Sequence, residues 1–110
     1  MTPEQRVHAT YDAFNARDER TAVAGLDPQV QWDDGAGHML RGRQSVADHW
    51  REQWQKMDAS IRIDSMHWHG DELVVQAMLD GKGADGSGIS RPVRNTVRFS
   101  NDLIASMRIG

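Results

Sequence analysis

The chain has 110 residues, a length that fits one domain spanning 1–110, and a core of that size is modest enough that pairing with a second copy would add to its stability. Apolar residues make up 38% and charged residues 26%, the net charge is −3, and no basic run exceeds two residues, so neither nucleic acid nor an anionic membrane is an expected partner. Cysteine is absent, which excludes disulfides, thiolate chemistry and cysteine-ligated zinc, and no apolar stretch resembles a signal peptide or a membrane span, so a cytoplasmic location is the expectation.

The first helix is signposted at its start. Thr2 and Gln5 have capping-box spacing and Pro3 falls at the first helical position. Val7, Tyr11 and Phe14 then form one apolar face. Asp18 is placed to cap a shorter second helix with Ala22, Val23 and Leu26, which Gly25 weakens and Pro28 ends.

Gln29 to Asp34 reads as a strand, with Val30, Trp32 and Asp34 on one face and Gln31 and Asp33 on the other. A carboxylate continuing an apolar face is unusual. The glycine-rich stretch Gly35-Ala36-Gly37-His38 follows, then Arg41-Gly42-Arg43. A third helix is predicted from about Gln44 to Met57, carrying a stripe of Val46, Trp50, Trp54 and Met57.

The second half reads as β structure, with strands over Ser60–His69, Leu73–Asp80, Arg91–Ser100 and Leu103–Ile109 and short turns at Gly70-Asp71 and Asn101-Asp102. The glycine-rich stretch Asp80–Ser90 is expected to be a mobile hairpin tip; its Asp80–Gly86 segment lacks the spacing of a phosphate loop or a calcium loop. Helices first and a long meander last predict an α+β fold, with the helices on one face of an antiparallel sheet.

Several polar residues on apolar faces admit two readings each. Asp34, beside Trp32 and Trp50, is either a partly desolvated proton acceptor with a raised pKa or the anchor of a turn that binds the backbone amides after it. Asn95 shares a strand face with Arg91, Val93, Val97 and Phe99; there it either polarises a substrate carbonyl or bonds the Tyr11 hydroxyl, Asp34 or a water. His49, beside Trp50, is either a pocket-edge acid or base or a partly exposed structural residue. His67 and His69 share a strand face at a spacing usable by two metal ligands, against an ordinary polar face. The four tryptophans (Trp32, Trp50, Trp54, Trp68) supply either core area or pocket walls.

Four segments carry a resemblance that covers nearly the whole chain. Tyr11-Asp12-Ala13-Phe14-Asn15-Ala16-Arg17-Asp18 resembles the end of the first helix of the nuclear transport factor 2-like superfamily, and Val30-Gln31-Trp32-Asp33-Asp34 its first strand. Arg41-Gly42-Arg43-Gln44-Ser45-Val46 resembles its entry into the third helix, and Asn95–Phe99 with Leu103–Arg108 its closing hairpin. The likeness is to the SnoaL-like branch, which includes polyketide cyclases and ketosteroid isomerases. It implies a cystatin-like α+β barrel, a cone-shaped, curved and mainly antiparallel sheet wrapped around three N-terminal helices. It also implies a homodimer through the sheet face and a small apolar ligand, with no metal and no organic cofactor.

By the same resemblance, Asp34 falls where isomerases and cyclases place a carboxylate base. The isomerase tyrosine falls at Thr10, one residue from Tyr11, and its second oxyanion donor falls at Asn95. The implied site therefore comprises Asp34, Asn95 and Tyr11 as catalytic groups, with Trp32, His49, Trp50, Trp54 and Phe99 around the substrate. The implied activity is of isomerase or cyclase type on an apolar carbonyl compound, and a non-catalytic ligand-binding or dimerisation module is the alternative.

Overall fold

The computed structural model describes residues 1–83 and 85–110. Helix α1 (Pro3–Asn15) begins on the capping box: the Thr2 hydroxyl accepts the Gln5 amide at 3.1 Å, and Gln5 Oε1 accepts the Thr2 amide at 2.8 Å. It buries Val7, Thr10, Tyr11 and Ala13. At its end Asn15 acts as a two-way clamp, donating to the Ile61 carbonyl and accepting the Ile61 amide, both at 2.8 Å. Helix α2 (Glu19–Ala24) starts on Asp18, whose carboxylate accepts the Thr21 amide at 3.2 Å.

The chain continues through β1 (Leu26–Asp33), β2 (Met39–Arg41), α3 (Arg43–Lys56), β3 (Met57–His69), β4 (Glu72–Gly83), β5 (Gly88–Ser100) and β6 (Leu103–Ile109). Gly42 enters α3 at a φ of 83°, which a side chain disfavours. The Arg43 guanidinium then donates to the Leu26 carbonyl at 2.8 Å and ties the start of α3 to the start of β1.

The six strands form one sheet in the order β2-β1-β6-β5-β4-β3. Every neighbouring pair is antiparallel except β1 with β6, which run parallel. The α+β class and the grouping of helices against the sheet agree with the reading of the sequence, but the cone-shaped barrel is corrected. The sheet is open, with β2 and β3 as its two edges. Strand β2 has only three residues, and the connection from β2 to β3 is the fourteen-residue helix α3, which packs against β1, β2 and β3 alike. A helix therefore occupies the ground on which the two edges would have to pair.

The glycine-rich hairpin also differs from expectation. The β4–β5 ladder continues through Asp80↔Ser90, Gly81↔Ile89 and Lys82↔Gly88, so the strands run well into the segment expected to be mobile; Ala84 of that segment lies outside the described residues. Backbone pairing needs no apolar side chains, and Ser90 adds a hydroxyl bond to Asp80 at 2.6 Å. Gly81 lacks a Cβ for a packing reason, because one there would collide with the Met57 side chain.

The inner face of the sheet carries Leu73, Val75 and Ala77 on β4 beside Val97, Asn95 and Val93 on β5, in register. Leu73, Val75, Ala77 and Val97 form one buried cluster between sheet and helices with Val7, Tyr11, Leu26, Val30, Trp32, Val46 and Trp50, and the half-buried Val93 packs against it.

Candidate functional site

Between α1, α3 and the inner sheet face lies a cavity of about 270 Å³. Helix α1 contributes Thr10, Tyr11 and Phe14, and β1 with the residue after it contributes Trp32 and Asp34. Helix α3 contributes His49, Trp50, Gln53 and Lys56. The sheet supplies an apolar floor of Met57, Ala59, Ile61, Leu79, Ile89, Val93 and Ile109, together with Arg91 and Asn95. A mainly apolar wall with a few convergent polar groups is the usual make-up of a small-ligand site, and this volume lies just below the range of about 300–1,000 Å³ for such sites.

The innermost polar feature is a bond between α1 and β5. The Asn95 side-chain amide donates to the Tyr11 hydroxyl at 2.7 Å, with Asn95 4% and Tyr11 5% exposed. Burial pushes the Tyr11 pKa up to about 12, and the bond from Asn95 offsets part of that rise. Asn95 Oδ1, Trp32 Nε1 and Thr10 Oγ1 are buried with no hydrogen-bond partner among the described residues. All three residues line the cavity. Trp54 Nε1, outside the cavity lining, is unpaired among the described residues in the same way.

Asp34 sits one residue beyond β1, with its side chain 11% exposed. Its Oδ1 accepts the Ala36 amide at 2.8 Å and the His38 amide at 3.1 Å, and its Oδ2 lies 3.2 Å from His38 Nδ1. The expected rise in its pKa does not occur. The Ala36 amide, opposed by partial desolvation and helped by the His38 amide and ring, holds the carboxyl below its ordinary value. The turn-anchoring geometry read from the sequence is present, in a residue that also lines the cavity.

Trp32 and Trp50 meet edge to face with ring centroids 5.4 Å apart, and Phe14 meets Trp50 similarly at 5.9 Å. His49 is half-buried at the cavity edge. Thus Asp34, Asn95, Tyr11, Trp32, His49 and Trp50 come together around one space. Two expected wall residues do not join them. Trp54 packs behind the cavity, against Phe14 and Trp50 and under the Arg17 guanidinium. Phe99 lies farther along β5 from Asn95, outside the cavity lining, where it packs against the core cluster and meets the half-exposed Trp68.

His67 and His69 are both exposed on the outer face, and the described residues contain no group of three or more His, Cys, Asp or Glu arranged to hold a metal ion. Residues of the floor that single-strand reading missed, such as Met57, Leu79 and Ile89, come from the hairpin and its neighbour β3. For Ile89 the signal was the alternation of β5 continued outward from Asn95 and Val93 through Arg91.

Comparison with solved structures places this architecture among known ones. An NTF2-like protein of unknown function from Burkholderia pseudomallei superposes with a TM-score of 0.89 at 22% identity, covering 100% of this chain and 90% of that one. A hypothetical protein with a ketosteroid isomerase-like fold from Catenulispora acidiphila, solved in complex with trimethylamine, gives 0.88 at 17%, covering 100% and 86%. A candidate polyketide cyclase from Xanthomonas campestris pv. campestris gives 0.89 at 19%, covering 97% and 87%. At these identities the likeness carries the fold alone. No curated protein matches the chain by sequence. The family described as the SnoaL-like domain matches residues 7–107. The match spans all but the start of α1 and the end of β6, with every group of the cavity except Ile109, and the chain belongs to the SnoaL-like domain family.

Proposed function

We propose that this protein binds a compact, largely apolar small molecule in the cavity built around Tyr11 and Asn95. The observation that carries the reading is a mainly apolar cavity of about 270 Å³ whose wall also holds Tyr11, Asp34, His49 and Asn95. Thermal unfolding with indane, indan-2-one and indan-2-ol tests it. A ligand that binds only the native state and is present at a hundredfold excess over its Kd should raise Tm by roughly 10 °C. No rise with any of the three would contradict the reading.

A catalytic reading has its own support, since Asp34 lines the same cavity. In it Asp34 accepts a proton from a carbon next to a carbonyl, the electron pair moves to the carbonyl oxygen, and the Tyr11 hydroxyl donates to that oxygen. This is an isomerase- or cyclase-type step that needs no metal or organic cofactor. A carboxylate held below its ordinary pKa is a weak base, which restricts the step to a relatively acidic carbon. Deuterium exchange into indan-2-one in D₂O measures it directly. Exchange above the buffer rate that disappears in Asp34→Asn supports the catalytic reading, and exchange at the buffer rate supports binding alone.

Homodimerisation is proposed through the outer sheet face, where Gln76, Met78 and Thr96 stay half-exposed opposite the face that the helices cover. Sedimentation of the wild type and of Met78→Arg tests it, with a dimer expected for the first and a monomer for the second. No helix among the described residues is long and apolar enough to cross a membrane. A cytoplasmic location is part of the proposal, and cell fractionation tests it.

A further inference from the structure

We infer that the cavity takes an apolar compound bearing one carboxylate group, and that this carboxylate sits at the cavity mouth, on the end that carries Arg91 and Lys56. The inference rests on the cavity being a ligand site and names the class of compound that the site takes.

The cavity is charged unevenly from one end to the other. Arg91 and Lys56 are the only arginine and lysine among its described lining residues, and both are exposed, so they stand where the space opens to solvent. The alternation of β5 puts Arg91 on the inner face, between Ile89 and Val93, which line the cavity too. Met57, the residue after Lys56, packs over Gly81; Gly81 pairs with Ile89, the inner-face neighbour of Arg91. The end of α3 therefore meets the β4–β5 hairpin where both cations lie. Asp34, the one carboxylate of the described lining, belongs to the other end. Its neighbour Gly35 lies against the Ile109 carbonyl. Ile109 in turn pairs with Asn95, which is roughly 13 Å along β5 from Arg91 at about 3.3 Å per residue.

The Arg91 guanidinium forms no ion pair among the described residues. Carboxylates on the surrounding elements are engaged elsewhere: Glu52 with Lys56 at 2.7 Å, Asp58 with Arg17 at 2.8 Å and Asp80 with Ser90 at 2.6 Å. Asp34 is occupied by two loop amides and His38. Across the ladder Arg91 faces Leu79, which offers no charge. One positive charge is thus left over on an otherwise apolar strand face, and a planar carboxylate matches a guanidinium with two parallel hydrogen bonds. Lys56 lies in the last turn of α3, where its charge offsets the negative end of the helix dipole that an anion would otherwise meet. Its bond to Glu52 is an exposed pair four residues apart, too weak to keep the ammonium from a ligand. Ile89, exposed beside Arg91, carries the apolar wall out to the same mouth, so the apolar body of the ligand goes inward and its acid group outward. A carboxylate at the mouth keeps part of its hydration, which one buried deep in the cavity would lose.

Isothermal titration at neutral pH with indane-2-carboxylate, the neutral indane-2-carboxamide and indane tests the inference. The carboxylate should bind roughly tenfold more tightly than the carboxamide, and added salt should narrow that gap. In Arg91→Gln the two should converge to within about twofold, while indane binds as it does to the wild type. Lys56→Gln should narrow the gap by a smaller factor. Both side chains are exposed, so neither substitution removes a core contact. A wild-type protein that binds carboxamide as tightly as carboxylate overturns the acid inference and leaves the pocket standing. A carboxylate preference unchanged in Arg91→Gln also overturns it. Failure of all three molecules to bind overturns the pocket and the inference together.

Discussion

The Asn95 amide nitrogen lies 2.7 Å from the Tyr11 hydroxyl, joining the middle of α1 to the middle of β5 through the buried wall of the cavity. The bond ties the helical layer to the sheet at the point where the core gives way to open space, so its loss should be felt in stability as well as in binding. Tyr11→Phe leaves the Asn95 amide buried without its partner and should cost about 1–3 kcal/mol. Urea unfolding of the two proteins measures the difference, and a change near zero would show that the bond adds nothing to the fold.

The same tyrosine predicts an alkaline transition. Tyr11 is the only tyrosine in the chain, and its pKa stands at about 12 in the folded state against an ordinary 10.0. Between those values the unfolded chain loses the phenolic proton and the native state keeps it. Stability is therefore intact below pH 10 and falls as pH rises through 12, by roughly 3 kcal/mol from this group. Absorbance titration of the folded protein should show no tyrosinate until well above pH 10, and Tyr11→Phe should lose less stability over the same range.

Asp34 predicts the opposite slope. Its carboxyl sits below the ordinary 3.8 because the Ala36 amide and, less strongly, His38 favour the ionised form. The stabilisation is present above that unfolded value and is lost as pH falls through the lower folded one. Asp34→Asn should speed amide exchange at Ala36 and His38, and its stability deficit against the wild type should shrink at acid pH. Exchange rates unchanged by the substitution would show that the loop is held by something else.

Gly25 marks a close approach between α2 and α1. A Cβ there would stand 2.5 Å from Thr10 Oγ1 and 3.3 Å from Arg6 Cδ. Gly25→Ala should cost about 1–3 kcal/mol through overpacking. Removing the hydroxyl in the double variant Gly25→Ala with Thr10→Ala should recover part of that cost, which thermal melting of the single and double variants would show.

Much of this fold was legible because local signals and burial agree. Thr2, Gln5 and Pro3 fixed the start of α1, and Val7, Tyr11, Val30, Trp32, Val46 and Trp50 all lie in the core that their periodicity implied. The openness of the sheet was not legible, because closure depends on whether two distant edges meet, and neither β2 nor β3 records that in its own residues. The parallel pairing of β1 with β6 escaped for the same reason. In the site, Asn95 stood out as an amide among apolar neighbours, but only the structure shows that Tyr11 takes its nitrogen and leaves its oxygen unpaired. Which of the two readings of Asp34 holds was not legible, because it depends on whether the apolar strand face continues past Trp32. The chain instead turns at Gly35, with a φ of 78°, and brings the amides of 36 and 38 onto the carboxylate.

The most direct test of the central claim is calorimetric titration of the wild type and of Val93→Trp with indane. Val93 is a half-buried residue of the cavity wall, so the larger side chain fills the space without removing a polar group. Saturable binding of one molecule per chain to the wild type, abolished in a Val93→Trp protein that still melts cooperatively, is the predicted result. Absence of saturable binding to the wild type, or equal binding to both proteins, would contradict the account.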